Sequence, residues 1–147
     1  MMRFMYSATL LVHSWLRWAV ILAGLAAVIS SGPRDVAASR SARAGLWFTI
    51  LLDVQFLIGL ALYLFISPNT TAAFRDMGAA MHVAATRFFL VEHPFAMVVA
   101  IALAHIARVR AERRGRSPRM LYAASLIILL VAQPWPGLPF GRPLFRL

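Results

Sequence analysis

The stretch "RFFLVEHPFAMVV", residues 87–99, decides how this chain is read. It is an apolar run fit for a membrane interior, yet Glu92, His93 and Pro94 stand in succession near its start. Ionisable groups inside such a run are costly, and by default they mark function with a partner close by. The proline acts on the backbone. It has no N–H to donate, so it starts or kinks a helix and frees the carbonyl of Leu90 for a polar partner.

The surrounding composition fits a bilayer. The 147 residues are 61% hydrophobic, with a mean hydropathy of +0.75, more hydrocarbon than a soluble domain of this size can hide. There is no cysteine, so disulfides, thiolate metal sites and thioether haem attachment are excluded. All 15 basic residues are arginine, against five acids, for a net charge of +10. They cluster between apolar runs, not among stacking aromatics on a polar face, which points to flanking charge and away from nucleic acid.

Four segments are measured against the ~20 residues that span a hydrocarbon core: about 8–30, 46–66, 87–107 and a short fourth at 118–133. Backbone groups in lipid must be satisfied internally, so these are helices. The expected fold is an all-α integral membrane protein, a single four-helix transmembrane bundle over 1–147. Ser117 caps the fourth helix and Pro118 is its first residue. His13, Arg17 and two tryptophans interrupt the first segment, which argues against a cleaved signal peptide. Nine arginines flank the first and third connections and five the other side, which places both termini outside, in the periplasm of a bacterial cytoplasmic membrane. The tail 134–147 holds four of the eight prolines and lies along the outer surface, with Trp135 and Phe140 at the interface. Between the second and third segments, a short surface helix is expected over Ala72 to Ala85.

Depth orders the unusual residues. His13 lies five residues beyond Ala8, and His93 six beyond Arg87, which puts both rings roughly 7–9 Å inside the same edge. Two imidazoles at one level on two helices supply what six-coordinate haem iron needs, one neutral nitrogen from each side of a flat macrocycle. Arg17 shares a face with His13 and points back toward the level of Glu92. Arg17, Arg87 or His82 then holds haem propionates, while Glu92 balances Arg17 or orients a ring nitrogen. The plainer alternative makes Arg17 and Glu92 a buried ion pair that fixes helix order, and His13 and His93 packing residues. His105 has no histidine partner for a second haem, so it pairs with Asp53 as a helix lock. Asp53 and Gln55 could otherwise serve a quinone or proton path. Ala96, Ala100 and Ala104, with Gly24 and Gly59, form small faces that let helices approach closely.

The blocks "LVHSWLRWAVILAGL", "LLDVQFLIGLALYLFISP", "DMGAAM", "RFFLVEHPFAMVVAIALAHIARVR" and the closing "PW" resemble small bacterial four-helix membrane proteins labelled cytochrome b or b561-like. The resemblance covers nearly the whole chain. It implies one haem b and electron transfer, with His13 and His93 as axial iron ligands and a quinone or redox protein as partner. A second expectation from a different class is a cofactor-free accessory subunit that docks onto a larger respiratory or photosynthetic membrane complex. No Walker loop, hydrolytic triad, metalloprotease motif or dinucleotide fingerprint appears, so any redox activity would be electron transfer without a hydrolytic or transferase site.

Overall fold

The computed structural model describes residues 1–31, 38–112 and 117–146. Helix α1 is Met2–Ser30, and α2 is Ala38–Ala61, prolonged by a π-helical turn at Leu62–Ile66. Three short helices follow: α3 (Pro68–Ala73), α4 (Met77–His82) and α5 (Ala84–Arg87). A second π-helical turn at Phe88–Glu92 leads into α6, His93–Glu112, and α7 is Arg119–Val131. Among the described residues there is no strand.

Three stretches are long and apolar enough to cross a membrane: Met2–Ser30, Ala42–Ile66 and Ala84–Ala111. α7, with 13 residues, reaches roughly 20 Å at 1.5 Å per residue. The first span begins six residues earlier than expected, and the third begins at Ala84 because α5, the π turn and α6 run on as one stretch.

Large apolar side chains stand on the outside of the bundle as well as in its core, and small residues sit at the helix contacts. Leu22, Ile29, Leu57, Phe95 and Val131 are exposed, whereas Ala27, Ala100, Ala104, Ala107 and Ser125 are wholly buried. Lipid solvates alkyl side chains as well as a protein core does, so helix association depends on close approach through small residues and on hydrogen bonds between helices. The expected small face of α6 behaves in this way. At Ala100 the gap closes enough for the Ser125 hydroxyl on α7 to donate to the Ala100 carbonyl at 2.8 Å. Gly24 on α1 admits the Phe48 ring of α2.

The four long helices form a ring. α1 packs on α2 and α7, and α6 packs on the same two. α1 and α6 therefore occupy a diagonal and do not seal the space between them, and the cavity described below lies there.

The connection after α2 differs from the single surface helix expected over Ala72 to Ala85. Ser67 caps α3, with Pro68 as its first residue, and Asp76 Oδ1 accepts the Ala79 N–H to start α4. These two N-caps break the segment into separate turns, because each side chain satisfies backbone donors that a continuing helix would have bonded itself. Pro118 takes the N-cap position of α7 in place of the first helical turn, and the Ser117 hydroxyl accepts from the Arg119 N–H. The arginines at 34, 113, 114 and 116, used to orient the chain, lie outside the described residues.

The tail does not simply lie along the surface. It turns at Gly137, whose φ is +91°, and again at Gly141, where a Cβ would stand 2.5 Å from the Trp135 carbonyl oxygen. The chain then returns over the bundle end. Phe140 stacks on Phe88 with centroids 3.8 Å apart, and Phe145 packs against Trp15 and Trp18.

Candidate functional site: a cavity between diagonal helices

The site is assembled by prolines that free carbonyls. A carbonyl in a helix bonds the N–H four residues on, and proline has none to give. Pro94 frees Leu90, whose carbonyl accepts the Tyr63 hydroxyl at 2.9 Å. The backbone answers the same proline with the Phe88–Glu92 π turn, in which the His93 N–H reaches Phe88. Such single π turns occur often at functional sites. Pro134 frees Leu130, whose carbonyl accepts the Trp135 indole N–H at 2.8 Å. Just past the end of α7, the Ala132 carbonyl oxygen lies 2.9 Å from His93 Nδ1.

This last contact fixes the state of His93. A carbonyl oxygen only accepts, so Nδ1 of the neutral ring carries the proton and Nε2 keeps its lone pair. The partner of His93 is thus the backbone oxygen of Ala132, the C-cap of α7, not Glu92.

His93 borders a cavity of about 390 Å³ that His13 and Arg17 also line, together with Gln55, Gly59 and Tyr63 from α2 and its π turn. The volume falls within the ~300–1,000 Å³ usual for small-molecule sites. Leu52, Phe56, Met97 and Leu129 give it an apolar wall. Arg142 and Arg146 of the returning tail line it together with Arg17. Among the described residues, no acid lines it.

Helix packing sets His13. The Gln55 side-chain amide donates to the His13 carbonyl at 3.0 Å, which ties α2 to α1 at the histidine itself. One turn on, Gly59 lets α2 close against the ring, since a Cβ there would stand 3.0 Å from His13 Cε1. Three buried polar atoms here have no hydrogen-bond partner: His13 Nδ1, Gln55 Oε1 and Arg17 Nε. Unsatisfied buried polar atoms are rare enough to require a reason, and an unfilled ligand site is one.

Arg17 is 9% exposed, and its contacts are neutral. Nη2 donates to the Leu144 carbonyl at 2.6 Å, Nη1 to Gln133 Oε1 at 3.4 Å, and the guanidinium lies 5.1 Å from the Trp18 ring centroid. The expected pairing with Glu92 is not formed. Glu92 and Arg87 instead form an ion pair at 2.8 Å, with both side chains nearly half exposed. The Phe88–Glu92 π turn explains the difference. It carries Glu92 to the outer face beside Arg87, five residues back, while the next residue, His93, faces the cavity. Neither Glu92 nor Arg87 borders the cavity, and neither does His82 at the exposed end of α4.

Counted from the observed helix starts, both rings stand further along their helices than the 7–9 Å expected. His13 is 11 residues beyond Met2 and His93 nine beyond Ala84, roughly 17 and 14 Å along the axes.

Asp53 and Gln55 diverge, as residues two apart on a helix must. Gln55 faces the cavity, while Asp53 meets His105 Nε2 at 3.0 and 3.2 Å on the outer face of α2 and α6. That pair joins the two helices as expected. Gln133, Arg142 and Arg146 were absent from the expected site, although all three line the cavity. No protein-family model, curated protein or solved structure matches this chain, so its chemistry is argued from these side chains alone.

Proposed function

We propose that the chain is a membrane cytochrome that carries one haem b between α1 and α6, with His13 and His93 as the axial ligands. The observation that carries this reading is the bordering of one cavity by imidazoles from two diagonal helices, one of them with its Nδ1 proton already committed to a carbonyl. Metal-bound histidines characteristically donate their second nitrogen to a carbonyl or carboxylate, which fixes the tautomer and the ring plane. Among the described residues no three His, Asp or Glu side chains converge to hold a bare metal ion. Two imidazoles suit an iron whose remaining ligands come from a macrocycle.

A haem bound here would supply reversible one-electron chemistry at its iron. The chain's own residues bind and orient. Ala132 O holds the proton of His93 Nδ1, Gly59 and Gln55 fix the height of the His13 ring, and the apolar wall excludes water. In this reading α7, packed on both α1 and α6, is the fourth span, and both termini face the outside of a bacterial cytoplasmic membrane. The tail covers the cavity end nearest a quinone or soluble redox partner.

A reduced-minus-oxidised absorbance spectrum of detergent-purified protein tests the proposal. A sharp α band that is lost in both His13→Ala and His93→Ala is expected, and a folded protein that remains colourless after haem addition refutes it. One observation favours the accessory-subunit reading instead. Asp53 and His105 stand nearly half exposed beside lipid-facing Leu57 and Val98. Polar groups at such depth are usually covered by another helix. Purification from native membranes with a bound partner and no haem would favour that alternative.

A further inference from the structure

We propose that the cavity holds a carboxylate site built by Arg17, Arg142 and Arg146, to which the C-terminal tail contributes two of the three side chains. The proposal rests on the haem reading for the carrier of the carboxylates, the two propionates of the porphyrin. The site itself follows from charge and burial.

Arg17 is nine-tenths buried, and its Nε is an unpartnered donor. The ion pairs among the described residues are Arg87 with Glu92 and His105 with Asp53, and neither compensates Arg17. Two more arginines join it on the same cavity, still with no acid among the described lining residues. Leaving a buried charge unpaired is strongly unfavourable, and gathering three of one sign adds repulsion. A ligand with one or two carboxylates and an apolar body relieves both. Guanidinium is the side chain best shaped to receive it, because its planar fork binds a carboxylate through two parallel hydrogen bonds.

The tail is positioned for this role. Arg142 N–H donates to the Pro134 carbonyl at 2.9 Å, which closes the double turn at Gly137 and Gly141. The Trp15 and Trp18 indoles donate to the carbonyls of Arg146 and Leu144 at 3.1 and 3.3 Å. These contacts hold the backbone and leave the Arg142 and Arg146 side chains free to act. The Arg142 guanidinium lies 5.1 Å from the centroid of Phe89, an aromatic ring that also borders the cavity.

The test compares haem with haem dimethyl ester, in which both propionates are blocked, on the full-length protein in detergent. The wild type is expected to bind haem about tenfold or more tightly than the ester, the size of at least one charge-assisted hydrogen bond. Arg142→Gln/Arg146→Gln should weaken haem binding toward that of the ester and so lose the preference, and Arg142→Lys/Arg146→Lys should restore part of it. Equal binding of haem and ester by the wild type overturns the carboxylate site while the haem reading stands, and it needs no variant to fold. If neither porphyrin gives a histidine-dependent band, the haem reading fails and palmitate becomes the probe. Palmitate binding that the double Gln variant abolishes keeps the carboxylate site, and the absence of such binding overturns it.

Discussion

Three glycines in three helix contacts allow one substitution, glycine to alanine, to separate packing from the site. Each change removes a flexible residue from a helix, which by itself favours folding by about 1 kcal/mol. The structure sets the opposing term. At Gly45 the new Cβ would coincide with the Tyr122 hydroxyl, on a ring that is wholly buried, so α2 and α7 must separate. At Gly24 it would stand 2.9 Å from Phe48 Cε2 and 3.1 Å from Leu126 Cδ1, against a phenylalanine with no room to move. At Gly59 the obstacle is His13 Cε1 at 3.0 Å, the tip of a ring that borders open volume. Overpacking a filled core costs about 1–3 kcal/mol. Gly45→Ala should therefore lose about 2 kcal/mol or more net, and Gly24→Ala about 1 kcal/mol. Gly59→Ala should lose nothing measurable or gain up to about 1 kcal/mol, because the imidazole can yield into the cavity. The same yielding moves an iron ligand, so Gly59→Ala should weaken haem binding while Gly24→Ala leaves it intact. Unfolding in detergent micelles measures the first quantity and a haem titration by absorbance the second. Equal stability losses at Gly59 and Gly45, or unchanged haem affinity in Gly59→Ala, would refute the reasoning.

Tyr63→Phe leaves the Leu90 carbonyl without its side-chain donor in the Phe88–Glu92 turn, and a loss of about 1–2 kcal/mol is expected in the same unfolding assay. Asp53→Asn alters a pair that is nearly half exposed, so in detergent its stability change should stay below about 1 kcal/mol. A larger loss would show that the pair locks the helices more strongly than its exposure implies. Phe145→Ala removes the ring that contacts both Trp15 and Trp18, and a red shift of tryptophan emission is expected as the tail loosens. An unchanged spectrum would mean that the indole hydrogen bonds hold the tail alone.

Much of the fold was readable one residue at a time, because lipid imposes local rules. A run such as 46–66 must be a helix since no water is present to satisfy its backbone. Ala100 and Ala104 had to face a neighbouring helix, and Pro94 had to free Leu90. None of these requires knowing where any other helix lies. His13 and His93 were identifiable as costly residues in apolar runs for the same reason.

Partnership was not readable in this way. Glu92 follows Val91 in an apolar run, and only the extra residue of the π turn determines that it meets Arg87 while His93 meets Ala132. The diagonal placement of α1 and α6 creates the cavity, and it depends on α7 and α2 each touching both. Arg142 and Arg146 read as tail charges until Gly137 and Gly141 reverse the chain and bring them to the cavity that Arg17 also lines. Cost and depth are properties of a residue in its own segment, so the sequence determines them. Which groups share a charge or a proton depends on rotations and turns summed across the whole bundle, and the tertiary structure alone decides that.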